Sequence, residues 1–89
     1  MPLLKKEIVI KNSQGLHARP AAMFVQIASK YNSQVTVQKG AEKVNGKSIM
    51  GILTLGAQQN CKVVLEVDGD DAENVLVELE NLLAKENIQ

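Results

Sequence analysis

Apolar and polar residues alternate from residue 4 to residue 11. Ile8 and Ile10 lie on one face and Glu7, Val9 and Lys11 on the other. A period of two predicts a half-buried strand. Asn12-Ser13-Gln14-Gly15 closes it with residues that favour turns. From 18 to 31 the period changes: Ala21, Phe24, Val25, Ala28 and Tyr31 recur at offsets of three and four, which marks one face of a helix. Asn32-Ser33 stops it, and residues 34–39 alternate again with Val35 and Val37 inward. Lys39-Gly40-Ala41 predicts a tight connection to a weak strand over 42–45, and Asn45-Gly46 is a further turn signal.

Ser48 stands before Ile49-Met50-Gly51-Ile52-Leu53. Serine is a good N-cap, so a short helix is expected there, weakened by Gly51. Residues 61–67 form the clearest strand, with Val63, Leu65 and Val67 on one face and Asp68-Gly69 at its end. Asp70 and Glu73 have the spacing of a variant capping box. The helix they open has apolar positions 72, 75, 76, 79, 82 and 83. The order is β-α-β-β-α-β-α, without repeats or linkers. Each strand keeps a polar side, so a mainly antiparallel sheet with helices on one face is expected.

Composition narrows the function classes. The chain has 89 residues, enough for one small domain. With one Phe, one Tyr and no Trp, its core must come from Val, Ile, Leu and Ala. Net charge is zero. A nucleic-acid binder shows a basic excess and often stacking aromatics, so no nucleic-acid partner is expected. Cys61 is the one cysteine and reads as a small buried hydrophobe near a strand start. One Cys with one His falls short of a structural zinc site, and no metal or cofactor is expected. The apolar run at the N-terminus is too short for a secretion signal, and no stretch approaches a membrane span. The reading is a cytoplasmic protein without membrane insertion.

The segment with chemistry is Gly15-Leu16-His17-Ala18-Arg19-Pro20. A turn glycine leads to the chain's one histidine at the mouth of a helix. Proline is tolerated in a first turn because its missing N–H would have had no partner there. Proline statistics favour Pro20 as the first helical residue, whereas the apolar face allows a start near Ala18. In either register His17 sits close to unpaired backbone amides, which suit an anion. Arg19 adds a planar fork of donors that matches phosphate oxygens. A nucleophile, amides and an arginine within three residues fit phosphoryl transfer, which depends on positioning and charge stabilisation. Taken alone, a surface histidine and an arginine beside a proline are more often merely solvated.

This segment resembles the active-site signature of HPr, the histidine-containing phosphocarrier family of bacterial phosphotransferase systems. A second block, Lys47-Ser48-Ile49-Met50-Gly51, is similar to that family's regulatory serine motif at the expected distance. Length and element order agree along essentially the whole chain. The resemblance implies an HPr-like open-faced β-sandwich of α+β class, with residues 1–89 as one domain. It implies four antiparallel strands and three helices on one side. It implies phosphorylation at Nδ1 of His17 by Enzyme I, itself charged by phosphoenolpyruvate, and transfer to EIIA-type proteins for sugar uptake and its regulation. His17 would be the helix N-cap, with backbone amides from Ala18 and Arg19 and the Arg19 side chain near the phosphate. Gln14 is longer than the Asn or Ser common at that position of the family, which puts the detail of the turn in doubt. The chain reads as a stoichiometric carrier, not an enzyme with its own turnover, and as a monomer.

Met23, Ile49, Met50 and Leu53 are the expected docking residues, methionine being adaptable to differently shaped partners. Ser48 serves as an N-cap on sequence grounds, and the resemblance adds regulatory phosphorylation by an HPr kinase/phosphorylase. Three rivals stand beside this reading: a paralogue in a nitrogen-related regulatory branch, a non-catalytic small regulatory binding module, and a small phosphatase using Arg19.

Overall fold

The computed structural model describes residues 3–86. It contains β1 (Leu3–Val9), α1 (Ala18–Ser29), β2 (Gln34–Lys39), β3 (Glu42–Asn45), α2 (Ile49–Leu55), β4 (Lys62–Asp68) and α3 (Ala72–Ala84). The four strands form one sheet in the order β1-β4-β2-β3, every pair antiparallel. The open-faced α+β architecture is therefore the expected one.

Register follows from the alternation. Ile8 pairs with Val63, and Val37 pairs with both Leu65 and Val44. Period two then sends Ile8, Val35, Val37, Val63, Leu65 and Val67 to one face, where all are buried. The helices cover this face with Ala21, Phe24 and Ala28 from α1, Ile52 and Leu55 from α2, and Val75, Leu79, Leu82 and Leu83 from α3. Phe24 is fully buried, and its ring stands in for the aromatic mass the chain otherwise lacks. The opposite sheet face is polar: Glu66 on β4 lies between Lys5 on β1, 3.9 Å away, and Lys43 on β3, 3.3 Å away. Lys6 lies on the helical side of β1 and reaches Glu80 of α3 at 2.9 Å.

Two local expectations need correction. Asp70 and Glu73 make no capping box: the N-cap of α3 is Asp71, whose side chain makes no bond to its own helix. Its carboxylate instead accepts from the amides of Asn32 and Ser33, each at 3.1 Å, and from the Ser33 hydroxyl. The turn after α1 carries three donors that α3's first turn cannot outbid, because Ser33 is buried and needs a partner. Cys61 is half-buried just ahead of β4, not enclosed. Of the two helix starts left open for α1, the one allowed by the apolar face holds: the helix begins at Ala18, and Pro20 is its third residue.

Candidate functional site

The segment ahead of α1 is fastened from below. Lys11 N donates to Leu83 O at 2.8 Å and Ser13 N to Glu86 O at 3.1 Å, so the end of α3 holds the chain as it leaves β1. Asn12, between them, is 1% exposed. Its Oδ1 accepts from Gln14 N at 3.1 Å and its carbonyl from Gly15 N at 3.2 Å. Gly15 then adopts φ +65°, and a Cβ there would lie 2.5 Å from Ala57 O. Both the left-handed backbone and the close approach require glycine. Leu16 follows with its side chain fully buried and its amide on Ala57 O at 2.8 Å.

His17 is thereby held between two anchors, Leu16 on one side and the buried Pro20 and Ala21 on the other. Its backbone is extended, φ −129° and ψ 163°, and it occupies the N-cap position of α1. It makes no side-chain capping bond. Pro20 has no amide to offer, and Ala21 N is turned back to His17 O at 3.4 Å. Among the described residues nothing accepts from the amides of Ala18 and Arg19. The proline thus narrows the open donors of the first turn to the two beside the imidazole. Ala18 carries φ +49°, a left-handed value that costs an ordinary residue about 1–3 kcal/mol. Alanine carries no sequence cue for such a conformation. Arg19 is exposed and forms no ion pair with another described residue. The ring is half-exposed, flanked by two amides and followed by a free guanidinium, an arrangement suited to a small multiply charged anion.

Ser48 is the N-cap of α2, and its Oγ accepts from Gly51 N at 3.1 Å. The cap reading holds. Of the expected docking residues, Ile49, Met50 and Leu53 on α2 are exposed, Met50 by 69%. Met23 is different: it is half-buried and packs against the core. Helices α1 and α2 pack on each other, so these side chains share the helical layer with His17. Lys30, at the other end of α1, is engaged by Glu78 of α3 at 2.9 Å. In the sequence Asn12 reads as turn chemistry alone, since an Asx residue type signals a turn and not its burial.

A four-stranded antiparallel sheet under three helices, with a histidine at the mouth of the first, is the architecture of the HPr phosphocarriers. The chain belongs to that family: the model described as PTS HPr component phosphorylation site matches residues 4–85. The chain is similar to the HPr-C-His structure from Thermoanaerobacter tengcongensis, with 49% identity over 96% of this chain and 99% of that one, TM-score 0.89. It is similar to the phosphocarrier protein HPr from Bacillus anthracis str. Ames, with 34% identity over 91% and 96% of the two chains, TM-score 0.89. It also resembles Crh, the Bacillus subtilis catabolite repression protein, which crystallised as a swapped, intertwined dimer. There the identity is 36% over 97% of this chain and 99% of that one, TM-score 0.75. No helix among the described residues is long and apolar enough to cross a membrane.

Proposed function

We propose that this chain is a cytoplasmic, single-domain phosphocarrier that accepts a phosphoryl group on Nδ1 of His17 from phospho-Enzyme I and passes it to an EIIA protein. The observation that carries the reading is the pair of unengaged amides, Ala18 and Arg19, beside a half-exposed His17. The ring nitrogen's lone pair forms a bond to phosphorus as the bond from phosphorus to the donor breaks. Charge spreads over the three phosphoryl oxygens during the transfer. The two amides and the Arg19 guanidinium face that charge and stabilise it. A phosphohistidine has a labile P–N bond, so the group moves on to the next acceptor by the same displacement.

Ile49, Met50 and Leu53, with Met23 at their edge, form the docking surface of this reading. Exposed apolar side chains on a short helix are what successive partners can cover. Ser48 at the head of that helix is the regulatory position. A phosphoserine there adds close to two negative charges beside the apolar patch and weakens the fit of Enzyme I. The relative named for catabolite repression supports a regulatory theme. The working form is the monomer, which leaves the patch uncovered.

Intact-protein and peptide mass spectrometry after incubation with phosphoenolpyruvate, magnesium and Enzyme I tests the proposal. One acid-labile phosphoryl group on His17, absent from His17→Ala and formed more slowly by Met50→Glu, is the expected result. No adduct with a demonstrably active Enzyme I would leave a regulatory binding module as the better reading.

A further inference from the structure

Asn12 is a buried polar side chain that belongs to neither the apolar core nor the His17 site. It is 1% exposed, and among the described residues its Nδ2 has no acceptor. An enclosed donor without a partner opposes folding, because the group loses its water and gains nothing. An aliphatic side chain of similar size would avoid that cost. Its Oδ1, by contrast, is engaged: it accepts from Gln14 N, while the Asn12 carbonyl accepts from Gly15 N. The residues on either side are pinned by main-chain bonds to Leu83 and Glu86. Between the anchored Ser13 and the anchored Leu16, the amides of Gln14 and Gly15 both donate to Asn12, one to its carboxamide and one to its carbonyl.

We infer that Asn12 is a positioning residue for phosphoryl transfer: through the Oδ1 bond to Gln14 N it fixes the turn that aims Gly15, Leu16 and His17. The inference rests on the carrier reading for its kinetic consequence, but the geometry of the turn is independent of that reading. Asx side chains hold such turns by accepting from the amide two residues on. A loss of this bond lets the turn relax while Leu16 stays in the core, and the displacement is passed to His17.

The test uses the full chain with Asn12→Ala and Asn12→Ser. Serine keeps an acceptor for Gln14 N and discards the stranded amide. With phospho-Enzyme I as donor, Asn12→Ala lowers kcat for uptake on His17 about tenfold and leaves KM for Enzyme I nearly unchanged, since misplacement by a fraction of an ångström acts on the transfer step. Asn12→Ser restores most of kcat, and its urea midpoint is no lower than that of the unaltered chain. Amide chemical shifts and hydrogen exchange read the turn without Enzyme I: Asn12→Ala moves Gln14 through His17 and speeds exchange at Leu16, and Asn12→Ser does neither. If Asn12→Ala leaves those amides in place, the inference is overturned. The same holds if it perturbs stability alone and transfers at the original kcat, or if serine fails to rescue. If the unaltered chain takes up no phosphoryl group, the carrier reading fails, and the amide measurements still decide the role of Asn12 in the turn.

Discussion

The two ends of α1 are built in opposite ways. At the C-terminal end the chain enters a mesh of side-chain bonds. Lys30 and Tyr31 both reach Glu78 of α3, Lys47 Nζ donates to the Tyr31 carbonyl at 2.7 Å, and Asp71 gathers Asn32 and Ser33. The N-terminal end is secured from beneath by Leu16 and Ala21, but its outward groups are unengaged. Among the described residues the amides of Ala18 and Arg19 have no acceptor and Arg19 pairs with no carboxylate, and Ala18 carries a strained φ. One helix thus separates two tasks. Its far end couples helix to helix, and its near end leaves donors open that, in the proposed function, receive the phosphoryl group. A capping side chain at His17 would have satisfied the helix and closed the site, as Ser48 does on α2.

The contrast can be broken from either side. The largest effect is expected at Phe24, which joins the two ends through the core and is fully buried. Phe24→Ala should cost about 3–5 kcal/mol in urea unfolding, yet leave phosphoryl uptake per folded molecule close to normal. A parallel loss of uptake by the folded fraction would mean the site is not insulated from the core. Arg19→Ala should do the reverse, slowing uptake on His17 by about a hundredfold through loss of a charge facing the transferred group. Its urea midpoint should not move, because Arg19 is exposed and forms no ion pair among the described residues. A fall in stability without a fall in rate would reverse the assignment of the two ends.

The smallest effect concerns acid. The Ser33 hydroxyl, and then the Asn32 and Ser33 amides, hold Asp71 below its ordinary 3.8. The Tyr31 hydroxyl and Lys30 hold Glu78 below its ordinary 4.5. A carboxyl whose folded pKa is depressed stabilises the fold fully above its unfolded pKa. That contribution is lost as pH falls through the folded value. The mesh at the end of α1 should therefore weaken on acidification below about pH 4.5. Urea midpoints measured from pH 7 to pH 3 should fall less for Asp71→Asn combined with Glu78→Gln than for the unaltered chain. Equal acid sensitivity of the two proteins would show that the mesh contributes nothing to the pH response.

Much of this was legible in the residues. The period-two strand at 34–39, the weak strand at 42–45 bracketed by turn signals, the apolar stripe of α3 and the Ser48 cap fall where the pattern placed them, because each depends on local alternation, a local turn or one short bond. His17 and Arg19 could be read as neighbours at a helix start for the same reason. The features that escaped depend on distant partners. The Asp71 carboxylate makes no capping bond to α3 because the turn after α1 folds back to it, and no spacing near residue 71 reports that. Met23 looks like a surface methionine on a helical wheel but packs against the core. The left-handed φ of Ala18 falls between the buried Leu16 and Pro20, and alanine itself does not signal it.

The most direct measurement is the amide spectrum of the isotope-labelled protein before and after phosphoryl transfer from Enzyme I. With the phosphoryl group on His17, the amide protons of Ala18 and Arg19 should show the largest displacements, moving downfield as they donate to its oxygens, while those of Asn32 and Ser33 stay in place. A phosphorylated His17 with both flanking amides unmoved would contradict the account, since the open end of α1 would then not be what holds the group.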